Sequence, residues 1–193
     1  MKIPVARPKA FPQNLVLIGM FGSGKSTIGR ILAAKLRYHF VDVDHLIESK
    51  YKKPLQKVLD ELGMKGFMKM EDEALQALRN WHCVISPGGS AVYYPRAMKH
   101  LKSLGPRIFL KVDLASLKKR LPVWSNRGVV CRGGNSLSAL FSERAPLFKK
   151  YADLTIEAKG KSAEKIAQEI LAKLGLLAPK AAGPKIKKAS RLR

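Results

Sequence analysis

Gly19-Met20-Phe21-Gly22-Ser23-Gly24-Lys25-Ser26-Thr27 fits G-x-x-x-x-G-K-[ST], a pattern whose chemistry is the cradling of phosphates. What flanks it fits as well. Leu15-Val16-Leu17-Ile18 is a short apolar run of the kind that forms a buried parallel strand, and Ile28, Ile31, Leu32 and Leu36 recur at helical spacing. The loop is therefore expected to join a strand to a helix. Its glycines let the backbone N–H groups turn inward, and the helix N-terminus adds partial positive charge. Gly22, Ser23, Gly24, Lys25, Ser26 and Thr27 are the expected nucleotide-binding residues. Lys25 would reach the β- and γ-phosphates of ATP, and the Ser26 hydroxyl would bind Mg²⁺.

Downstream, His39-Phe40-Val41-Asp42 reads as a second strand. Strand, crossover helix and strand begin an α/β fold with a parallel sheet. Asp42-Val43-Asp44 closes that strand, and ligands of such sheets collect at the carboxyl ends of the strands. Alternation puts Asp42 and Asp44 on one side if the strand persists that far. One carboxylate can then help hold Mg²⁺ or its waters while the other orients, or takes a proton from, a substrate hydroxyl. The competing reading is that Asp44 caps a helix over Leu46–Lys50.

Further helices are expected over Pro54–Leu62 and Phe67–Arg79. In the second, Phe67, Met70, Ala74, Leu75 and Leu78 form the apolar face, with Glu71, Asp72 and Glu73 on its other sides. A third strand lies within Trp81–Ser86, and the turn Pro87-Gly88-Gly89-Ser90 at its carboxyl end allows a ligand close to the backbone. Pro95–Leu104 reads as a helix with proline at its first position, and Arg107–Val112 as a fourth strand. Asp113 should cap a helix over Leu114–Leu121. Pro122–Asn135 is Gly-rich and basic and lacks helical period, so it reads as a flap over bound nucleotide. Leu137–Tyr151 is helical, with Pro146 set to kink it or start a new segment. Leu154–Glu157 is a fifth strand, and Ser162 should cap a last amphipathic helix.

The 193 residues suit one domain with a real core. No apolar run approaches the ~18 residues of a membrane-spanning helix. Cys83 and Cys131 lack metal-site spacing and are too few for a disulfide framework, which points to thiols in a reducing cytoplasm. The formal charge of +23 is more than a kinase needs around its phosphates. Part of it sits in Pro179–Arg193, a basic segment with little to bury, read first as a solvated tail and second as a nucleic-acid contact.

The order and spacing of these pieces resemble the shikimate kinase family over roughly residues 13–174. The motifs are Gly19–Thr27, Asp42-Val43-Asp44, Gly63–Glu71 against G-E-x-x-F-R-x-x-E, Ser86–Val92 against S-x-G-G-G-A-V, and Glu143–Phe148 against R-A-P-L-Y. The resemblance implies a three-layer αβα P-loop kinase fold with a five-stranded parallel sheet and a mobile lid at about 122–136. The kinase domain would span 13–175, between a loose arm (1–12) and a basic tail (176–193). It implies γ-phosphoryl transfer from ATP to a hydroxyl of a carboxylated small-molecule acceptor, shikimate first, with gluconate or another hydroxy acid as the alternative. A monomer without membrane contact is expected. A non-catalytic nucleotide-binding module with nucleic-acid-binding tails is the reading from a different class.

By the same resemblance, Asp42 supports the metal through water, and Asp44 binds acceptor hydroxyls and serves as base. Phe67, Met68, Gly88, Gly89 and Ser90 line the acceptor, and Arg144 pairs with its carboxylate. Arg120 flanks the adenine, and Arg127 is the lid arginine, with Arg132 competing. Two departures fall in the acceptor pocket. Met68 stands where the family has an arginine, and a thioether cannot donate a charge-assisted hydrogen bond. One such contact is worth roughly 1.5–3 kcal/mol. Ser90 stands where the family has a third glycine, which adds a hydroxyl and bulk.

Overall fold

The computed structural model describes residues 12–79, 81–121 and 136–176. The expected arm to residue 11, the flap over 122–135 and the tail from 177 lie outside the described residues, as do Cys131, Arg127 and Arg132. The elements run β1 (Asn14–Ile18), α1 (Lys25–Leu36), β2 (His39–Asp42), α2 (Val43–Tyr51), α3 (Leu55–Gln76), β3 (Cys83–Ser86), α4 (Pro95–Leu104), β4 (Arg107–Lys111), α5 (Leu114–Arg120), α6 (Leu137–Tyr151), β5 (Leu154–Glu157) and α7 (Ala163–Lys173).

Five strands form one sheet in the order β2-β3-β1-β4-β5, every pairing parallel. Residues 15–18 of β1 are fully buried because strands flank it on both edges and helices cover both faces. The chain leaves β1 toward β2 and β3, then crosses to β4 and β5. Right-handed crossovers in opposite directions place their helices on opposite faces. Accordingly α1 packs with α7, and α4 with α3. The reversal of direction opens a crevice at the carboxyl edge of β1, where such sheets bind ligands.

Local chemistry explains most of the element ends. Asp113 accepts from the Ser116 amide at 2.9 Å, and Ser162 from the Lys165 amide at 3.3 Å, each capping the helix that follows. Pro95 opens α4. β4 and β5 are tied beyond their ladder: Arg107 Nε donates to Asp153 Oδ2 at 2.9 Å. No helix among the described residues is long and apolar enough to cross a membrane.

Four expectations need correction. β2 ends at Asp42 and α2 begins at Val43, so Asp44 lies in the first turn of a helix rather than on a strand with Asp42. Asp42, not Asp44, holds the cap position, and its side chain makes no capping bond. The two helices expected between 54 and 79 are joined across a kink at Gly63 (φ 63°, ψ 170°) and end at Gln76. α6 runs through Pro146 as one helix. A proline interrupts one backbone bond, and the apolar side chains on the rest of α6 carry the turn through it.

Candidate active site

The crevice is a cleft of about 540 Å³, floored by residues 21–28 and walled by Asp42, Asp44, Ser86, Arg120, Lys161, Ala163 and Ile166. The loop after β1 turns back on itself, the Ser23 amide donating to Met20 O at 3.1 Å. Gly24 is the cap residue of α1 with φ 96°, a left-handed geometry that glycine adopts without strain. This aims the first amides of α1 at the cleft.

Lys25 follows immediately. Its ammonium bridges the loop, donating to Gly19 O at 3.0 Å and Met20 O at 3.2 Å. Burial pulls its pKa below that of an ordinary lysine, while the carboxylates of Asp44 and Asp42 push it back up. Ser26 and Thr27 are exposed to the cleft. The Ser26 hydroxyl donates to Asp42 Oδ2 at 2.9 Å, so the end of β2 and the start of α1 present two oxygens side by side.

Asp44 is half-buried on the first turn of α2. Its pKa is pushed up to about 7, chiefly by burial. The charge of Lys25 opposes the shift, and Glu71, Asp42 and Glu48 add to it. A carboxyl with that value is poised to exchange a proton near neutrality.

The turn after β3 meets Asp44 from the other side. A Cβ on Gly88 would stand 2.6 Å from Asp44 Oδ1 and 2.8 Å from Glu71 Oε1, so any side chain there would displace these carboxylates. One on Gly89 would stand 2.8 Å from Arg144 Nη1. Arg144, on α6, is 1% exposed. It donates from Nε to the Tyr93 hydroxyl at 3.1 Å, with its guanidinium 5.0 Å from the Tyr93 ring centroid. The sheet edge thus gathers Lys25, Asp42, Asp44, Gly88, Gly89 and Arg144 from four segments far apart in sequence.

Other sequence-selected residues fall elsewhere. Phe67 is buried in the core and Met68 packs partly buried against it; neither lines the phosphate-loop cleft. Ser90 turns its hydroxyl into the protein, donating to Glu71 Oε1 at 2.5 Å. Arg120 ends α5 exposed, and its Nη1 donates to Gly22 O at 3.2 Å.

Sequence reasoning missed several residues. Lys161, Ala163 and Ile166 reach the cleft from the connection after β5 and the start of α7; the rule that ligands gather at strand carboxyl ends points to them. Glu71, placed by the sequence on a side of α3 other than the apolar face, is 2% exposed. Its position is the signal that was available: Phe67, Glu71 and Leu75 are spaced by four and share one buried stripe.

A backbone cradle with an ammonium, facing two carboxylates and an arginine, can hold a polyphosphate beside a hydroxyl-bearing anion. The comparisons with known proteins agree. The family model described as "SKI: Shikimate kinase" matches residues 21–175. The chain is 31% identical over 168 residues to a shikimate kinase of Nitrosomonas europaea, covering 86% of this chain and 80% of that protein. It is 36% identical over 169 residues to one of Synechococcus, covering 85% and 86%. Among solved structures, a shikimate kinase from Acinetobacter baumannii in complex with shikimate aligns with a TM-score of 0.77 and 30% identity, over 87% of this chain and 97% of that one. With most of its length matched by the family model and its sheet superposable on solved members, the chain belongs to the shikimate kinase family, phosphotransferases with an alcohol acceptor.

Proposed function

We propose that this protein transfers the γ-phosphoryl group of ATP to a hydroxyl of shikimate. The observation that carries the reading is the meeting of Asp44, Gly88, Gly89 and Arg144 beside the phosphate loop. It is supported by membership of a family whose solved relative holds shikimate.

The residues take complementary parts. The loop amides and Lys25 bind the phosphates and spread the charge that develops on the transferred group. The Ser23 hydroxyl, buried in the loop without a partner among the described residues, adds a donor there. Arg144 holds the acceptor carboxylate. Asp44 orients the acceptor hydroxyl for in-line approach and takes its proton. Arg120, which lines the cleft, would flank the adenine. Arg127 or Arg132 closes over the phosphates.

The oxygens of Ser26 and Asp42 fit Mg²⁺. They are hard donors 2.9 Å apart at the cleft, and such an ion takes few protein ligands and keeps several waters. Ser26 would hold it directly and Asp42 through water, and when bound it neutralises the phosphate oxygens. Monomeric action and a cytoplasmic setting complete the reading.

The test is a coupled ADP-release assay over shikimate, gluconate and other hydroxy acids, with Lys25→Ala as control. Shikimate-dependent ADP release that falls at least 1,000-fold in Lys25→Ala is expected. Release independent of shikimate, or unchanged in the variant, would overturn the proposal.

A further inference from the structure

α3 carries a carboxylate where its pattern calls for an apolar side chain. Glu71 is buried between Phe67 and Leu75 on the stripe that faces the core. A buried carboxyl group needs partners, and two hydroxyls supply them. Ser90 Oγ donates to Oε1 at 2.5 Å and the Tyr94 hydroxyl to Oε2 at 2.6 Å. Both donors come from one short segment, the turn and single 3₁₀ turn that join β3 to α4. The carboxylate therefore staples that segment to α3.

The stapled segment is also a wall of the acceptor pocket. Gly88 lies against Asp44 Oδ1 and Glu71 Oε1, and Gly89 against Arg144. Glu71 Oε1 and Asp44 Oδ1 thus both lie close to the Cβ side of Gly88. Tyr93, between the two hydroxyl donors, receives the Arg144 Nε–H. A shift of this segment displaces the backbone beside both acceptor-handling side chains. The nucleotide side of the cleft is lined mainly by other segments, with Ser86 at the root of this one and Gly89 near Phe21 and Gly19 of the phosphate loop.

We infer that Ser90 and Tyr94 are positioning residues for the acceptor, acting through Glu71: the staple fixes the Gly88–Gly89 backbone between Asp44 and Arg144 and so sets acceptor affinity. The inference rests on the kinase reading above. It gives Ser90 a task other than lining the pocket, since its hydroxyl is spent on Glu71.

Steady-state kinetics test it with Ser90→Ala, Tyr94→Phe, Glu71→Gln and the Glu71→Gln/Ser90→Ala pair. Tyr94→Phe removes one oxygen and keeps the ring, so folding is preserved. Ser90→Ala and Tyr94→Phe should each raise KM for shikimate about 10-fold, the size of one hydrogen bond to a buried carboxyl group. KM for MgATP should stay within twofold. In the Glu71→Gln background, Ser90→Ala should add no more than about twofold. Shikimate KM unchanged in both single variants overturns the inference, as does a parallel rise of both KM values, which would mark a merely structural staple. Wild-type enzyme that transfers nothing to shikimate overturns the kinase reading and this inference with it; active wild type with indifferent variants overturns the inference alone.

Discussion

Gly88→Ala puts a methyl group where the structure has none to spare. Gly88 does not have a positive φ, so alanine meets no backbone penalty and the effect is steric. The new Cβ would lie 2.6 Å from Asp44 Oδ1 and 2.8 Å from Glu71 Oε1, while ordinary contact begins at 3.4 Å. Both contacts must be relieved, by about 0.8 Å at the Asp44 oxygen and about 0.6 Å at the Glu71 oxygen, the differences between those distances. Glu71 is pinned by two hydroxyls and buried, so the turn must move away from Glu71 and Asp44 gives way to it. A base displaced by nearly 1 Å costs about 100-fold in rate, or about 2.7 kcal/mol. Coupled ADP release should show kcat reduced by about that factor. Calorimetry with a non-hydrolysable ATP analogue should show affinity within twofold of wild type, because the phosphate loop is untouched. A turnover within threefold of wild type would refute the placement of Gly88 against the working face of Asp44.

Other perturbations give separable outcomes. With Asp44 titrating near 7 in the free enzyme and needed ionised, kcat/KM for the acceptor should rise as pH increases through about 7; a flat profile between pH 6 and 8 contradicts its role as base. Arg144→Lys keeps the charge but loses the planar fork that bonds Tyr93, so KM for the acceptor should rise at least about 10-fold with KM for MgATP unchanged, as initial-rate kinetics would show. Asp153→Asn leaves the Arg107 guanidinium, 6% exposed, without its carboxylate. Because Asp153 itself is partly exposed, the cost should be near the low end for a broken buried pair, about 3 kcal/mol. That would appear in a thermal melt as a fall of about 6–12 °C, with turnover at 25 °C preserved.

The sequence-readable parts of this protein are those where one local pattern has one physical outcome. The apolar run before Gly19 and the helical period after Lys25 leave little choice but strand, loop and helix, and the sheet then follows from repeated crossovers. Asp113 and Ser162 cap their helices because a short oxygen-bearing side chain there has amides to satisfy. Asp44 shows where local reading stops: the alternation argument needs the strand to continue, yet β2 closes at Asp42 and the helix brings Asp44 to the cleft by another route. Glu71 shows a second limit. Charge normally marks the wet side of a helix, and only the hydroxyls of Ser90 and Tyr94, some twenty residues away, allow it inside. Met68 departs from the family's arginine by one residue, and its side chain is partly buried against the core. Lys161 and Ile166 belong to the cleft only because β5 ends next to β4.

The most direct test of phosphoryl transfer to shikimate is a ³¹P NMR time course on MgATP, shikimate and enzyme. A phosphate monoester resonance should grow in step with ADP at one to one, and neither should grow with Lys25→Ala. ADP accompanied by inorganic phosphate alone, at a rate indifferent to shikimate, would contradict the account.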